Sequence, residues 1–294
     1  MMWRCSARAK LGFVLLCVAA TFGCGHATLP AAGPTPKAEL RSAYYGSERI
    51  ISLAPSLTEI AFAIGCSGAL VGDTTFDDYP AAAKALPHVG DLAHADLERV
   101  AQLQPTIVLA LHDQEREASA IAAHVHVPIV YLPNRNIRDL YVDVDGVGKA
   151  CHREAQSAAL SAQLHSRIER VARRSAASRH HPRVLYLLGL PGFTAGKRSY
   201  LNDVISLAGG VNVAGDVDQP YPDLSAEAII QADPDVIIAS RSAGFNSDVR
   251  AREPWSSLRA VRNGDVISPP DDSILERDGP RVVDGLEWLS VRLR

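Results

Sequence analysis

The 294-residue chain lacks the short motifs on which most catalytic centres are built. It has no Gly-x-Ser-x-Gly elbow, no phosphate loop, no His-Glu-x-x-His and no Cys-x-x-Cys, and Gly189 to Gly192 departs from the dinucleotide fingerprint. Nor is charge of one sign in excess: 30 Lys and Arg stand against 33 Asp and Glu, for a formal net charge of −3. Without a basic block or interleaved basic and aromatic residues, nucleic acid is excluded as a partner. The local run Arg167, Arg170, Arg173 and Arg174 falls in a polar helical stretch and reads as a solvated face. Histidines are scattered; His124 and His126 flank a valine before a strand and form no metal-ligand constellation. The expectation is therefore a binding protein and not an enzyme, with no catalytic cofactor and no metal site.

Long apolar runs are also missing. The only one near the N-terminus, Leu11 to Phe22, is too short to cross a bilayer comfortably. It follows Arg4, Arg8 and Lys10 and precedes small residues, the arrangement of an export signal over residues 1–27. Two cleavage positions stay open. Gly23-Cys24 suits a lipoprotein signal with Cys24 as the lipid-bearing residue, and a plain cut near Ala27 suits a free periplasmic protein. Residues 28–48, rich in Ala, Pro and Gly, read as a flexible lead-in. Export leaves two of the five cysteines in the mature domain, Cys66 and Cys151. An oxidising compartment permits a bridge between them, and two separate buried small apolar residues are the alternative.

From Arg49 onward strand and helix patterns alternate. Ile50 to Ala54, Leu70 to Gly72, Ile107 to Leu111 and Pro128 to Leu132 are strand candidates. Pro55 and Ser56 open a helix that Gly65 ends. This rhythm predicts a mostly parallel sheet flanked by helices over residues 49–142. It stops between 143 and 178, where the sequence predicts one long helix of ~50 Å with Ala158, Leu160, Leu164, Ile168 and Val171 on one side. Arg183 to Leu188 restarts the alternation, which continues through 179–294 to a helix from Pro280 onward. The fold class is α/β: two lobes joined by one rigid helix.

The halves also repeat each other. Asp96-Leu97-Glu98 through Pro105 and Ile107 matches Ser225-Ala226-Glu227 through Pro234 and Val236. Each half further begins with an arginine before an apolar strand, Arg49 and Arg183. Glu98 and Glu227 admit two readings. Either is a first-turn acid favoured by the helix dipole, or the pair, one per lobe, docks a partner with two basic sites. Loops after strands carry the cleft candidates: Phe76 to Pro80, Phe193 to Lys197, Pro220 to Pro222, and Asp271 through Arg277. Phe76, Phe193 and Tyr221 lie outside any apolar period. They either fill satellite cores or present flat surfaces to a large planar ligand.

In Ile50 to Glu59, Asp78-Tyr79-Pro80, Asp96 to Arg99, Phe193 to Lys197, Gly209-Gly210-Val211-Asn212 and Gly279-Pro280-Arg281, the chain resembles the periplasmic binding proteins for cobalamin and ferric siderophores. The cobalamin type is the nearer of the two. The resemblance implies a clamshell with a stiff connecting helix and little change of shape on binding. It implies docking of Glu98 and Glu227 onto an ABC permease dimer with its ATPase subunits. It also implies cobalamin as the transported ligand, held by Phe76, Phe193, Tyr221, Asp272 and Arg277. A ferric siderophore or haem is the alternative. Two positions depart from the cobalamin pattern: Leu92 stands where a cleft tryptophan is found, and Ser273 where an acid is, with Asp272 one step away.

Overall fold

The computed structural model describes residues 48–294. The export signal, Cys24 and all but the end of the lead-in lie outside the described residues. Apolar β-branched triplets and quartets make short buried strands, and helices shield both faces of the sheets they form. In the first half the order is β1 (Ile50–Ser52), α1 (Pro55–Ala63), β2 (Leu70–Gly72), α2 (Leu97–Leu103), β3 (Ile107–Leu111), α3 (Glu115–Val125) and β4 (Ile129–Leu132). All four strands pair in parallel, in the order β2-β1-β3-β4, with Ile50 between Leu70 and Ile107.

Two helices follow, α4 (Asp139–Ala150) and α5 (Glu154–Ala176). The second half runs β5 (Arg183–Gly189), β6 (Phe193–Thr194), α6 (Tyr200–Ala208), β7 (Val211–Asn212), α7 (Ala226–Ala232), β8 (Val236–Ala239), α8 (Ser247–Arg250), α9 (Arg259–Asn263), β9 (Val266–Ile267), α10 (Ser273–Glu276) and α11 (Val282–Arg292). Its sheet has the order β6-β5-β8-β9, with β7 beside the start of β5; only β6 is antiparallel.

The single helix expected over 143–178 is two. The break falls at Cys151 to Arg153, where His152 takes φ 51° and Cys151 is bonded to Cys66. The disulfide that sequence left open is thus formed, across 85 residues with Cα atoms 6.0 Å apart. The connecting element is α5, 23 residues and ~35 Å long. Its buried stripe is Ser157, Leu164, Ile168, Val171 and Ser175. Ala158, expected on that stripe, is exposed, because counting back from Leu164 at 3.6 residues per turn lands on Ser157. Ser157 in turn fills the space beside Gly148, where a Cβ would come within 2.5 Å of it, so α4 and α5 pack closely. Arg167 is not on a solvated face: its guanidinium holds Glu287 at 2.7 Å and Asp284 at 2.6 Å, tying α5 to α11.

One hydrophobic core crosses both halves. It joins Ile50, Leu57 and Leu109 of the first sheet layer to Val144 and Val147 of α4, Leu164 and Ile168 of α5, Leu201 and Ile205 of α6, and Leu286 and Leu289 of α11. Each sheet has a separate cluster on its other face.

The repeat read in sequence has a physical basis. Asp96 and Ser225 accept hydrogen bonds from the backbone N–H groups of Arg99 and Ala228, the N-caps of α2 and α7. Both seven-residue helices end in a left-handed residue, Gln104 at φ 46° and Asp233 at φ 34°. The orphan carbonyls there are met from the neighbouring strand: Arg49 Nη2 donates to Leu103 O at 2.6 Å, and Arg183 Nε to Ala232 O at 3.0 Å.

Candidate functional site

Between the sheets, loops from both halves enclose a cavity of about 690 Å³. Its lining includes Phe76, Leu92, Asp113, Tyr221, Asp272 and Arg277. Parallel strands explain the position: all the contributing loops leave the same sheet ends. Phe76 and Tyr221 present 51% and 40% of their surface, which is large for aromatic rings and leaves them free to receive a ligand face. Phe193 does not line the cavity. Its ring stands 6.1 Å from that of Tyr221.

The loop that carries Phe76 is tightly built. The buried Asp77 carboxylate accepts from Thr74 N at 3.0 Å and from Thr74 Oγ1 at 2.5 Å. Arg277 reaches it from the other half: Nη2 donates to Phe76 O at 3.0 Å and Nη1 pairs with Asp78 at 2.8 Å. Behind lies Glu59, 3% exposed on α1. It takes Arg277 Nη1 at 3.2 Å and Arg281 Nε and Nη2 at 3.0 and 2.7 Å. Arg281 also pairs with Asp271 at 3.1 Å and lies 3.9 Å over the Tyr79 ring. Asp272 lines the cavity, yet its two oxygens accept the backbone N–H groups of Arg241 and Ser242 at 2.9 and 3.1 Å. Ser273 Oγ donates to Asp271 at 2.6 Å and accepts from Arg281 at 2.9 Å, so it serves the same ionic group.

Glu98 and Glu227 lie outside the cavity, exposed on the first turns of α2 and α7. The Glu227 carboxyl is held below its usual range by its own backbone N–H and by the Ser225 hydroxyl.

Sequence reasoning passed over Glu59. Its signal was a charge in the otherwise apolar run of α1, which has to find a buried partner. It also passed over the acids at the floor. Asp113, Glu276 and Asp278 join Asp78, Asp271 and Asp272 in the lining, and Arg277 is the one cation among the lining residues. Burial raises the Asp278 carboxyl to about 6, with Asp113 and Asp139 adding repulsion. Just beneath, burial and the charges of Asp278 and Asp139 raise Asp143 to about 9. Tyr221 is pushed well above an ordinary phenol, first by burial and then by Asp278, Asp113 and Glu276. Among the described residues no group of three or more His, Cys, Asp or Glu is arranged to hold a metal ion.

Two α/β halves over a shared core, with an aromatic and acidic cavity between them, define a solute-binding protein. Residues 50–273 match the family model for periplasmic binding proteins, and the chain belongs to that family. It is a class of solute-binding proteins, not of enzymes. A vitamin B12-binding protein of Yersinia pestis is 31% identical over 207 residues, 70% of this chain and 74% of that one. The periplasmic haem-binding protein RhuT from Roseiflexus sp. RS-1 superposes with a TM-score of 0.75 at 28% identity, covering 84% of this chain and 98% of that one. The periplasmic vitamin B12-binding protein of Vibrio cholerae gives 0.74 at 27% identity, covering 84% and 96%.

Proposed function

We propose that the chain is the substrate-binding component of an ABC importer and that it captures cobalamin in the cavity between its halves. The observation that carries the reading is the charge of the lining. Six acids face a single cation, and that cation is already held by Glu59 and Asp78. A corrin ring is rimmed with primary carboxamides, whose N–H groups donate to carboxylates. Phe76 and Tyr221 supply the flat apolar contact for its faces, with Phe193 supporting Tyr221. Haem instead carries two carboxylates, which this lining would desolvate beside like charge.

A second reading, haem or a ferric siderophore, draws on the recess of about 510 Å³ that holds Arg135, Lys197 and Arg198, where an anionic ligand finds counter-charge. Calorimetry separates the two. The expected result is saturable heat with cyanocobalamin and little with haemin or a ferric hydroxamate; the reverse pattern refutes the cobalamin reading.

Glu98 and Glu227 dock the loaded protein onto two basic sites of the permease dimer, one from each half. Replacing both with Ala leaves ligand affinity within about twofold and abolishes uptake, since exposed charges steer partners more than they hold distant ligands. Uptake at the wild-type rate would refute the docking role. The protein works in the periplasm, either free or anchored through Cys24.

A further inference from the structure

Arg277 borders the cavity, yet three of its five N–H donors are engaged inside the protein. Nη1 serves both Glu59 and Asp78, and Nη2 holds the Phe76 carbonyl. Glu59 does not need Arg277 for neutralisation, because Arg281 already meets it with two hydrogen bonds in a bidentate pair. The second arginine therefore does something else: it links a buried anchor on α1 to the backbone of the loop that presents Phe76. The Arg277 side chain is 17% exposed and Phe76 is half-exposed, so side-chain packing alone leaves much of the ring's placement to its backbone.

We propose that Arg277 and Glu59 are positioning residues of the cleft: Glu59 fixes the Arg277 guanidinium, which fixes the Phe76–Asp78 loop and so sets the plane of the ring that receives the ligand. The inference rests on the reading of this cavity as the ligand site. It places the energetic effect of Arg277 on Phe76 and not on a contact with ligand charge. A planar fork that bridges a carboxylate, a second carboxylate and a carbonyl is a role that lysine fills only in part.

Two measurements test it, and the first needs no ligand. Protein carrying 4-fluorophenylalanine gives a fluorine spectrum in which the Phe76 signal is assigned by its loss in Phe76→Leu. Arg277→Met and Glu59→Gln should shift or broaden that signal, Arg277→Lys should shift it less, and the signal of Phe245, packed on Trp255, should stay in place. A Phe76 signal unmoved in Arg277→Met overturns the proposal. If Arg277→Met does not fold, Asp78→Asn, at a half-exposed carboxylate, is read in its place with the same expectation and the same refutation.

The second measurement is a double-mutant cycle with cyanocobalamin. Arg277→Met should weaken binding about tenfold in the wild-type background and within about twofold in Phe76→Ala, since residues that act through one another are not additive. Effects that multiply would assign Arg277 to the ligand and overturn the proposal. Wild-type protein that fails to bind cyanocobalamin refutes the ligand reading alone, and the fluorine spectrum then decides the positioning role.

Discussion

Asp143 gives the protein a stability that should fall as pH rises through neutrality. The side chain is 1% exposed on α4, and its Oδ1 meets no hydrogen-bond partner among the described residues. Burial first, then Asp278 and Asp139, raise the carboxyl from 3.8 to about 9. At pH 7 the native state therefore holds a proton there that the unfolded chain has released. The sign follows from linkage. A folded-state value above the unfolded one contributes stability that is complete below pH ~4 and is lost as pH rises toward 9. The slope is about −1.4 kcal/mol per pH unit for one proton. Asp278 and Asp73, both raised to about 6, act with the same sign at the acid end. Between pH 5 and 8 Asp143 alone then removes roughly 2–4 kcal/mol, allowing for relaxation of the native state. Asp143→Asn keeps the shape and cannot titrate. Urea unfolding at pH 5, 6, 7 and 8 and fixed ionic strength, with m-values checked for constancy, should give a shallower profile for the variant by about 0.7–1.3 kcal/mol per unit and a higher midpoint at pH 8. Parallel profiles would refute the reasoning, because they would mean that Asp143 is ionised in the native protein or solvated by water within it.

The Cys66–Cys151 bond closes a loop of 85 residues, for which chain entropy gives a stabilisation of about 4.5 kcal/mol. Cys66→Ala with Cys151→Ala should lower the urea midpoint accordingly, and an unchanged midpoint would show that the bond does not form. Leu92 lines the cavity at 44% exposure and has room for a larger ring. Leu92→Trp should tighten cyanocobalamin about 3–10-fold by calorimetry, the value of one aromatic contact, and weaker binding would place the ligand elsewhere.

Local patterns were legible where local physics decides them. Leu70 to Gly72 and Ile107 to Leu111 form strands with the bounds read from sequence, because short apolar runs between turn residues have no other stable use. The paired motifs from Asp96 and Ser225 were legible for the same reason: cap, glutamate, left-handed end and proline are all local requirements of a short helix. The two arginines that begin the halves were visible, but their task was not, since it depends on a carbonyl 54 or 49 residues away. The break between α4 and α5 was missed because the stretch 143–178 holds no proline and no strand candidate, and the weak helix formers Gly146, Gly148 and His152 were not weighed. The helix ends locally, with His152 left-handed and Arg153 N–H bonded back to Gly148 O at 2.7 Å. Phe76 and Tyr221 were found as aromatics outside any period. The acids of the floor were not, because Asp278 and Asp113 come from separate loops and acquire meaning only when the fold brings them together.

The resemblance implies stiffness from one long helix, and the packing points to a broader source. α5 is shorter than expected, but the core that it belongs to also takes in α4, α6 and α11 and reaches the first sheet without interruption. Hinging the halves apart would expose that core, and each large aliphatic side chain released costs about 1.5–3 kcal/mol. Ligand entry must therefore be accommodated by the loops that rim the cavity. Those loops are not free either: Arg277 holds the Phe76 loop across 201 residues of sequence, and Arg277 and Arg281 tie the same segment before α11 to Glu59 across 218 and 222. A cavity whose walls share one core, and whose rim is held by a buried ionic group, selects by preformed shape and charge. On the proposed cobalamin reading, a preference for amide-rimmed over carboxylate-bearing rings is built into the unliganded protein.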